Sequence, residues 1–458
     1  MARVLILGAT GLIGQALGQE LVRRGYDVSI VSRGVRPEQL SFPCKVLQWV
    51  GDASALPDGA LVGVDAVSNL AGESIAEGRW TAAKKKRLIS SRLGPTNALA
   101  QAITASSYKP KVVVQASAIG YYPDAGDAQL AEDSPAAANF TGQLCQQWEE
   151  ATAPIAAQKV RVALMRIGVV LAHGGGALPK LAKLYNLGIG AAPGSGQQWF
   201  SWVHLDDIVQ LFMLALTDER VSGPINATAP QPCRFIDFHR EMTGRAEGPT
   251  LKAPSPIMKV ALGEASQMVL ASVRVIPAKA QALGFKFRFP DVANALNDLL
   301  GVGPLRRTEW MRSAQWLPAP LTEVAKFFGD ANNLEELTPP WLNFTVLNKS
   351  TPEIQNKTLI NYKLRLHGIP FRWTTEIIDW QPPYGFVDQQ IKGPFAVWHH
   401  THRFIELGNG TLMIDLVRYK SPVGKLGALA GGWMVDHDVK RIFDYRRETI
   451  AKRFKTVK

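Results

Sequence analysis

Apolar positions recur in a regular alternation over the first half of the chain. Strand-like runs lie at 3–7, 28–32, 45–50, 64–70, 112–117 and 161–171, with helical runs between them, notably 80–106 and 140–157. Strand alternating with helix predicts a doubly wound parallel α/β sheet over residues 1–230. Residues 174–200 are glycine-rich, as expected of loops on a substrate side. Residues 231–300 read as a smaller, more helical cap. It closes with an alternating strand, Phe285-Lys286-Phe287-Arg288-Phe289-Pro290.

Near Gly301–Pro304 the period changes. Alternating strands follow at Thr308–Trp316, Leu342–Lys349, Thr358–Leu366, Phe371–Asp379, Gly385–Ile391, Ala396–Leu407 and Thr411–Tyr419, with turns such as Gly408-Asn409-Gly410 between them. The chain then reads as one long helix, about 432–456. Val435, Val439, Ile442, Phe443, Ile450 and Phe454 share its apolar face. Strands curving round a terminal helix predict an α+β domain with an internal cavity over 305–458.

The first strand runs straight into Gly8-Ala9-Thr10-Gly11-Leu12-Ile13-Gly14, and an amphipathic helix and a second strand, Asp27–Ser32, follow. In this setting the glycines serve a pyrophosphate. Gly8 allows the tight turn, Gly11 lets backbone N–H groups approach phosphate oxygens, and Gly14 lets helix and strand pack closely. The positive end of the helix dipole faces the anion. The second strand ends in Ser32-Arg33. A basic residue there accommodates a ribose 2′-phosphate, where an acid would select the 2′-hydroxyl. Arg33, with Ser32 beside it and Arg36 in support, therefore points to NADP (NADPH) as the cofactor.

Composition narrows the class. No apolar run approaches the roughly 20 residues that span a bilayer, and Met1-Ala2-Arg3 leads directly into a strand with no signal peptide. Cys44, Cys145 and Cys233 are widely spaced, as in a reducing cytoplasm, where we expect the protein. The net charge of +12 divides into +5 before residue 305 (29 basic, 24 acidic) and +7 after it (22 basic, 15 acidic). Residues 440–458 hold eight Lys/Arg against two acids, which reads first as a solvated helix face and second as a weak membrane-surface contact. No nucleic-acid partner is expected.

Four segments carry a family resemblance: residues 8–14, Asn69-Leu70-Ala71-Gly72-Glu73-Ser74-Ile75, Ala116-Ser117-Ala118-Ile119-Gly120-Tyr121-Tyr122, and Gly196-Gln197-Gln198-Trp199-Phe200-Ser201-Trp202-Val203-His204. On these the front 300 residues resemble the extended short-chain dehydrogenase/reductases, and within them an atypical NAD(P)-dependent epimerase-like family with a C-terminal tail. The resemblance implies a Rossmann fold, a nicotinamide nucleotide, and a small-molecule substrate above the sheet. It implies that Asn69, Leu70, Ala71 and Gly72 pack along the cofactor, and that Ser117 hydrogen-bonds the substrate oxygen. The back domain, in its order of strand, two short helices around Leu321–Leu337, curved sheet and long helix, resembles the START-like (SRPBCC, polyketide cyclase-like) superfamily. That implies a helix-grip fold and an apolar ligand in its cavity.

One departure bears on mechanism. The family expects Tyr-x-x-x-Lys about 25 residues after the serine, with Tyr giving the proton and Lys lowering its pKa. If Glu149 marks the usual acid of that helix, Thr141 and Cys145 stand in those places. Tyr121 and Tyr122 are the substitute proton donors. Of Lys84, Lys85, Lys86, Arg87 and Arg92, most read as solvated and one or two as reaching an anionic substrate. His204 reads as a structural histidine. His400 and His402 share a strand face, but no nearby Cys or acid in sequence completes a metal set, so none is expected. The first reading is an epimerase-like oxidoreductase acting on a small carbonyl, alcohol or nucleotide sugar, fused to an apolar-ligand module. A non-catalytic NADPH sensor or scaffold, and a lipid carrier with a regulatory front domain, remain open beside it.

Overall fold

The computed structural model describes residues 2–35, 39–50, 54–244, 251–421 and 424–455. The chain forms two compact units. One gathers Met1–Pro37, Cys44–Tyr185 and Ile189–Leu299, and the other Glu38–Pro43, Asn186–Gly188 and Leu300–Lys458.

In the front unit the strands are β1 (Arg3–Leu7), β2 (Asp27–Ser32), β3 (Lys45–Gln48), β4 (Ala66–Asn69), β5 (Val112–Ala118), β6 (Arg161–Ile167) and β7 (Gly223–Ala227). They form one parallel sheet in the order β7-β6-β5-β4-β1-β2-β3. Helices α1 (Leu12–Arg23), α2 (Ala82–Ala105) and α3 (Phe140–Glu150) belong to its crossovers. Val4, Leu5, Ile6 and Leu7 are all buried, as a strand covered on both faces requires. The order reverses between β1 and β4, so the crevice beyond their carboxyl ends is the place for a ligand. The turn after Leu7 and the segment after Asn69 both open there.

Two local expectations are corrected, and one strand is added. The run 161–171 is not one strand. It breaks at Gly168, where a Cβ would lie 3.0 Å from the Thr228 side chain and 3.1 Å from Ser201 O, and Val169–Leu171 turns away to pair with Trp202–His204. Strand β7 was not anticipated, because Gly223 and Pro224 mask its short apolar stretch. Phe285–Pro290 alternates but forms no strand. The N–H groups of Arg288 and Phe289 instead donate to the buried Asp207 carboxylate, at 2.8 and 3.0 Å.

The back unit is an antiparallel sheet with β8 (Glu309–Leu317), β9 (Thr345–Lys349), β10 (Leu359–Leu366), β11 (Ile369–Gln381), β12 (Gly385–Lys392), β13 (Val397–Leu407) and β14 (Gly410–Lys420), ordered β8-β14-β13-β12-β11-β10-β9. Helix α4 (Leu321–Phe328) and the long helix α5 (Gly424–Arg453) complete it. Val439, Phe443, Ile450 and Phe454 are buried, with Val435 and Ile442 packed at the margin. This is the helix-grip arrangement expected of the back domain. The basic end of α5 is less solvated than its composition implies. Arg446 is buried, with its guanidinium 5.3 Å from the Phe328 ring, and Arg447 donates to Ser313 Oγ at 3.0 Å. Among the described residues no helix is long and apolar enough to cross a membrane.

Candidate functional site

The glycine turn has the geometry its spacing implies. Gly8 adopts φ +80°, and a Cβ there would lie 2.6 Å from the backbone carbon of Leu70. A Cβ on Gly14 would lie 2.5 Å from Gly8 O, so helix and turn touch through backbone alone. Gly11 differs: its added Cβ would meet only Gly8 O, at 3.4 Å, and beyond it the space is open. Gly11 caps α1 in an extended conformation, and no acid stands in the first helical turn. The first-turn N–H groups of a helix have no partner within it, so this end is suited to an anion. Thr10 and Gly11 are exposed, and Leu12 and Ile13 half-buried. The loop Gly174–Gly176 closes beside Leu12, whose side chain lies 3.5 Å from the place of a Gly176 Cβ.

The facing wall is built from β4. Asn69 is fully buried. Its Nδ2 donates to Thr96 Oγ1 at 3.1 Å and Gln115 Oε1 at 2.9 Å, while its Oδ1 accepts from the Ala71 N–H at 3.2 Å. Asn69 therefore holds the turn, and Leu70, Ala71 and exposed Gly72 present the surface. Ser32 is half-buried at the end of β2 and Arg33 beside it is exposed. Arg36 lies outside the described residues. The residues present fit the pyrophosphate and ribose of a dinucleotide.

The expected reaction side looks different. Ser117 is buried, and its hydroxyl donates to Glu149 Oε1 at 2.6 Å. Glu149 is clasped by Arg166 through two bonds of 2.9 Å, Nε to Oε1 and Nη2 to Oε2. Arg166 Nη1 also donates to the Tyr122 hydroxyl at 2.9 Å, which donates onward to Asn226 Oδ1 at 2.7 Å. Burial pushes the Tyr122 phenol up to about 12 despite the guanidinium beside it. Ser117 and Tyr122 therefore take part in a buried hydrogen-bond network. Their dipoles answer a buried ion pair, which would otherwise be costly. Tyr121 is half-buried, with its ring 3.5 Å from the Arg166 guanidinium carbon. Thr141 donates to Asn139 Oδ1 at 2.9 Å, and burial lifts the Cys145 thiol to about 12.

Among the α2 cations, Lys84 and Arg92 turn inward. Lys84 is buried, with Nζ 2.7 Å from Glu73 Oε1. Arg92 Nη2 donates to Glu73 O at 3.1 Å, and its chain packs 3.5 Å from the place of a Gly72 Cβ. Burial lowers the Arg92 pKa. His204 is structural, as expected: its Nδ1 accepts from the Asp206 N–H at 3.1 Å and caps the helix Leu205–Thr217.

The back unit holds a cluster the sequence reading missed. Across β12, β13 and β14, Asp388 pairs in register with His400, and His402 with Asp415. The imidazole centroids lie 3.8 Å apart, with the rings tilted by 37°, between the two carboxylates. Burial alone would lower the His400 pKa, but Asp388 and Asp415 outweigh it and hold it above the ordinary value. Burial would likewise raise Asp388, and the two histidines hold it well below the carboxylate range. The acids judged missing from the histidine set come from neighbouring strands.

A nucleotide-binding α/β sheet followed by a helix-grip domain is the class these features define. The comparisons are specific within it. Residues 4–227 match the NAD dependent epimerase/dehydratase family, 253–299 a domain family of unknown function, and 317–443 the polyketide cyclase/dehydrase and lipid transport family. The chain is 36% identical over 301 residues to the chloroplastic epimerase family protein SDR39U1 homolog of Arabidopsis thaliana, covering 65% of this chain and 86% of that protein. It resembles the human epimerase family protein SDR39U1, solved with NADPH, at 34% identity and a TM-score of 0.58, over 65% of this chain and 98% of that one. It also resembles a nucleoside-diphosphate sugar epimerase of Corynebacterium glutamicum, at 33% identity and a TM-score of 0.54, over 66% of this chain and 58% of that one. The chain belongs to the NAD dependent epimerase/dehydratase family through its front unit, and carries a polyketide cyclase-like domain behind it.

Proposed function

We propose that the front unit binds NADPH and passes a hydride to a small carbonyl substrate of the nucleotide-sugar type. The observation that carries this reading is the turn at 8–14: locked by backbone contact at Gly8 and Gly14, open at Gly11, and faced by Leu70–Gly72. Arg33, exposed at the end of β2, supplies a cation for the 2′-phosphate. The NADPH of the human relative and the sugar nucleotide named for the Corynebacterium relative support the same choice. NADPH held there would supply the hydride, and this chain would supply the proton for the carbonyl oxygen. Tyr121 is assigned the proton, because Ser117 and Tyr122 are held by Glu149, Arg166 and Asn226. The back unit holds an apolar molecule between its sheet and α5.

The test is turnover of NADPH with a panel of carbonyls that includes nucleotide sugars. Tyr121→Phe should lower the rate by about 10²–10⁴-fold, as for loss of a positioned acid, with NADPH affinity unchanged. Unchanged turnover removes Tyr121 from the role. A second reading, an NADPH sensor without turnover, is favoured by Thr141 and Cys145 in the places of Tyr and Lys. Firm NADPH binding with no oxidation by any carbonyl would select it.

A further inference from the structure

The back unit buries two carboxylates, Asp388 and Asp415, beside two imidazoles and the guanidinium of Arg446, whose Nε lies 3.6 Å from Asp415 Oδ2. The side chains of His400, His402 and Asp415 are 6%, 4% and 1% exposed, so water cannot screen the set, while Asp388 at 19% forms its open side. Buried carboxylates at this density call for a cation.

The arrangement has two sides. On one, Asp388 Oδ2 lies 3.3 Å from His400 Nδ1 and 3.0 Å from His402 Nε2. Ligand atoms about 2.0–2.1 Å from a tetrahedral ion stand about 3.3 Å apart, and the ligand atoms of these three residues all lie within 4.8 Å of one another. On the other side, Asp415 Oδ1 lies 3.0 Å from both remaining nitrogens, His400 Nε2 and His402 Nδ1. A carboxylate behind each metal-ligating histidine is what fixes ring orientation in metal sites. His402 Nδ1 makes no aligned hydrogen bond despite its closeness to Asp415, which leaves this ring without a complete set of partners. The Phe386 ring stacks on His402 at 4.2 Å, and the Phe443 edge lies 5.3 Å from His400, giving the site an apolar wall.

We propose that Asp388, His400 and His402 bind one divalent first-row transition-metal ion, with Asp415, anchored by Arg446, orienting both rings. Two imidazoles and one carboxylate are borderline donors that suit Zn²⁺, Co²⁺ or Fe²⁺ better than Ca²⁺ or Mg²⁺. Three protein ligands leave a coordination position open toward the side where Asp388 is exposed. An ion there would polarise an oxygen atom of a ligand reaching it from the Asp388 side.

The experiment uses the full chain, stripped with chelator and titrated with Zn²⁺ and Co²⁺. The expected result is one equivalent bound, with a Co²⁺ visible spectrum of low-symmetry nitrogen and oxygen coordination. Asp388→Asn and His402→Gln should each weaken binding by at least about 100-fold, and Asp415→Asn by about 10–100-fold. Arg33→Ala in the front unit should leave it unchanged. Circular dichroism separates a misfolded variant from a lost ligand. Should a variant misfold, X-ray absorption at the zinc edge of the wild type decides by the presence of imidazole scattering. No binding at equimolar metal, sulfur scattering from a cysteine site, or affinity that survives folded Asp388→Asn would overturn the proposal.

Discussion

Each unit buries an ionic cluster against its sheet, and the two are built to different ends. In the front unit, Arg166 and Glu149 meet through two bonds, and Ser117, Tyr122 and Asn226 take up the remaining donors and acceptors. Charge is balanced and hydrogen bonding closes on itself. In the back unit, two carboxylates share two imidazoles and one guanidinium, with His402 Nδ1 and the Arg446 nitrogens Nε and Nη2 lacking an aligned partner. The first cluster closes on itself, and the second opens at Asp388, whose side chain is 19% exposed. The front cluster is a closed hydrogen-bonded network in the segment where chemistry was expected. The back cluster, whose histidines were weighed for a metal and set aside for want of an acid, has the character of a site.

Breaking the closed network should give the largest effect. Glu149→Ala leaves Arg166 buried and unpaired, and should destabilise the front unit by about 3–5 kcal/mol. Native-state hydrogen exchange of the amides of 112–118 would read it. A change under about 1 kcal/mol would mean that the network is not what holds this region. Ser117→Ala removes one bond to a charged carboxylate and should cost about 1.5–3 kcal/mol by the same measurement, with NADPH affinity intact. Loss of turnover with no loss of stability would return Ser117 to the substrate. The smallest effect should be in the back unit. Asp388→Asn removes a charge from the open side of its cluster and keeps a hydrogen-bonding oxygen toward the histidines, so the metal-free protein should lose about 1–2 kcal/mol in denaturant unfolding. A penalty equal to that of Glu149→Ala would erase the difference between the two clusters.

What could be read in advance followed from local chemistry. The 8–14 turn was legible because each glycine answers a constraint set within a few residues. The parallel sheet was legible from its apolar runs. The Phe285–Pro290 run misled, since alternation records which faces are buried and not what the backbone bonds to, here Asp207. The network around Ser117 and Tyr122 was not legible, because their partners, Glu149, Arg166 and Asn226, come from α3, β6 and β7, and a strand order must be known before these meet. Half of the back cluster was within reach. The hairpin at Gly408-Asn409-Gly410 pairs Leu407 with Gly410, and counting back along that register sets His402 opposite Asp415. Asp388 was not, because the turn at 393–396 does not fix how β12 meets β13.

The central claim is that the front unit is built for a nicotinamide nucleotide bearing a 2′-phosphate. Parallel titration of NADPH and NADH into the wild type and Arg33→Ala tests it most directly. A charge-assisted phosphate contact is worth about 1.5–3 kcal/mol, so the wild type should favour NADPH by roughly 10- to 100-fold and the variant should lose most of that preference. Equal affinities in the wild type, or a preference that survives Arg33→Ala, would contradict it.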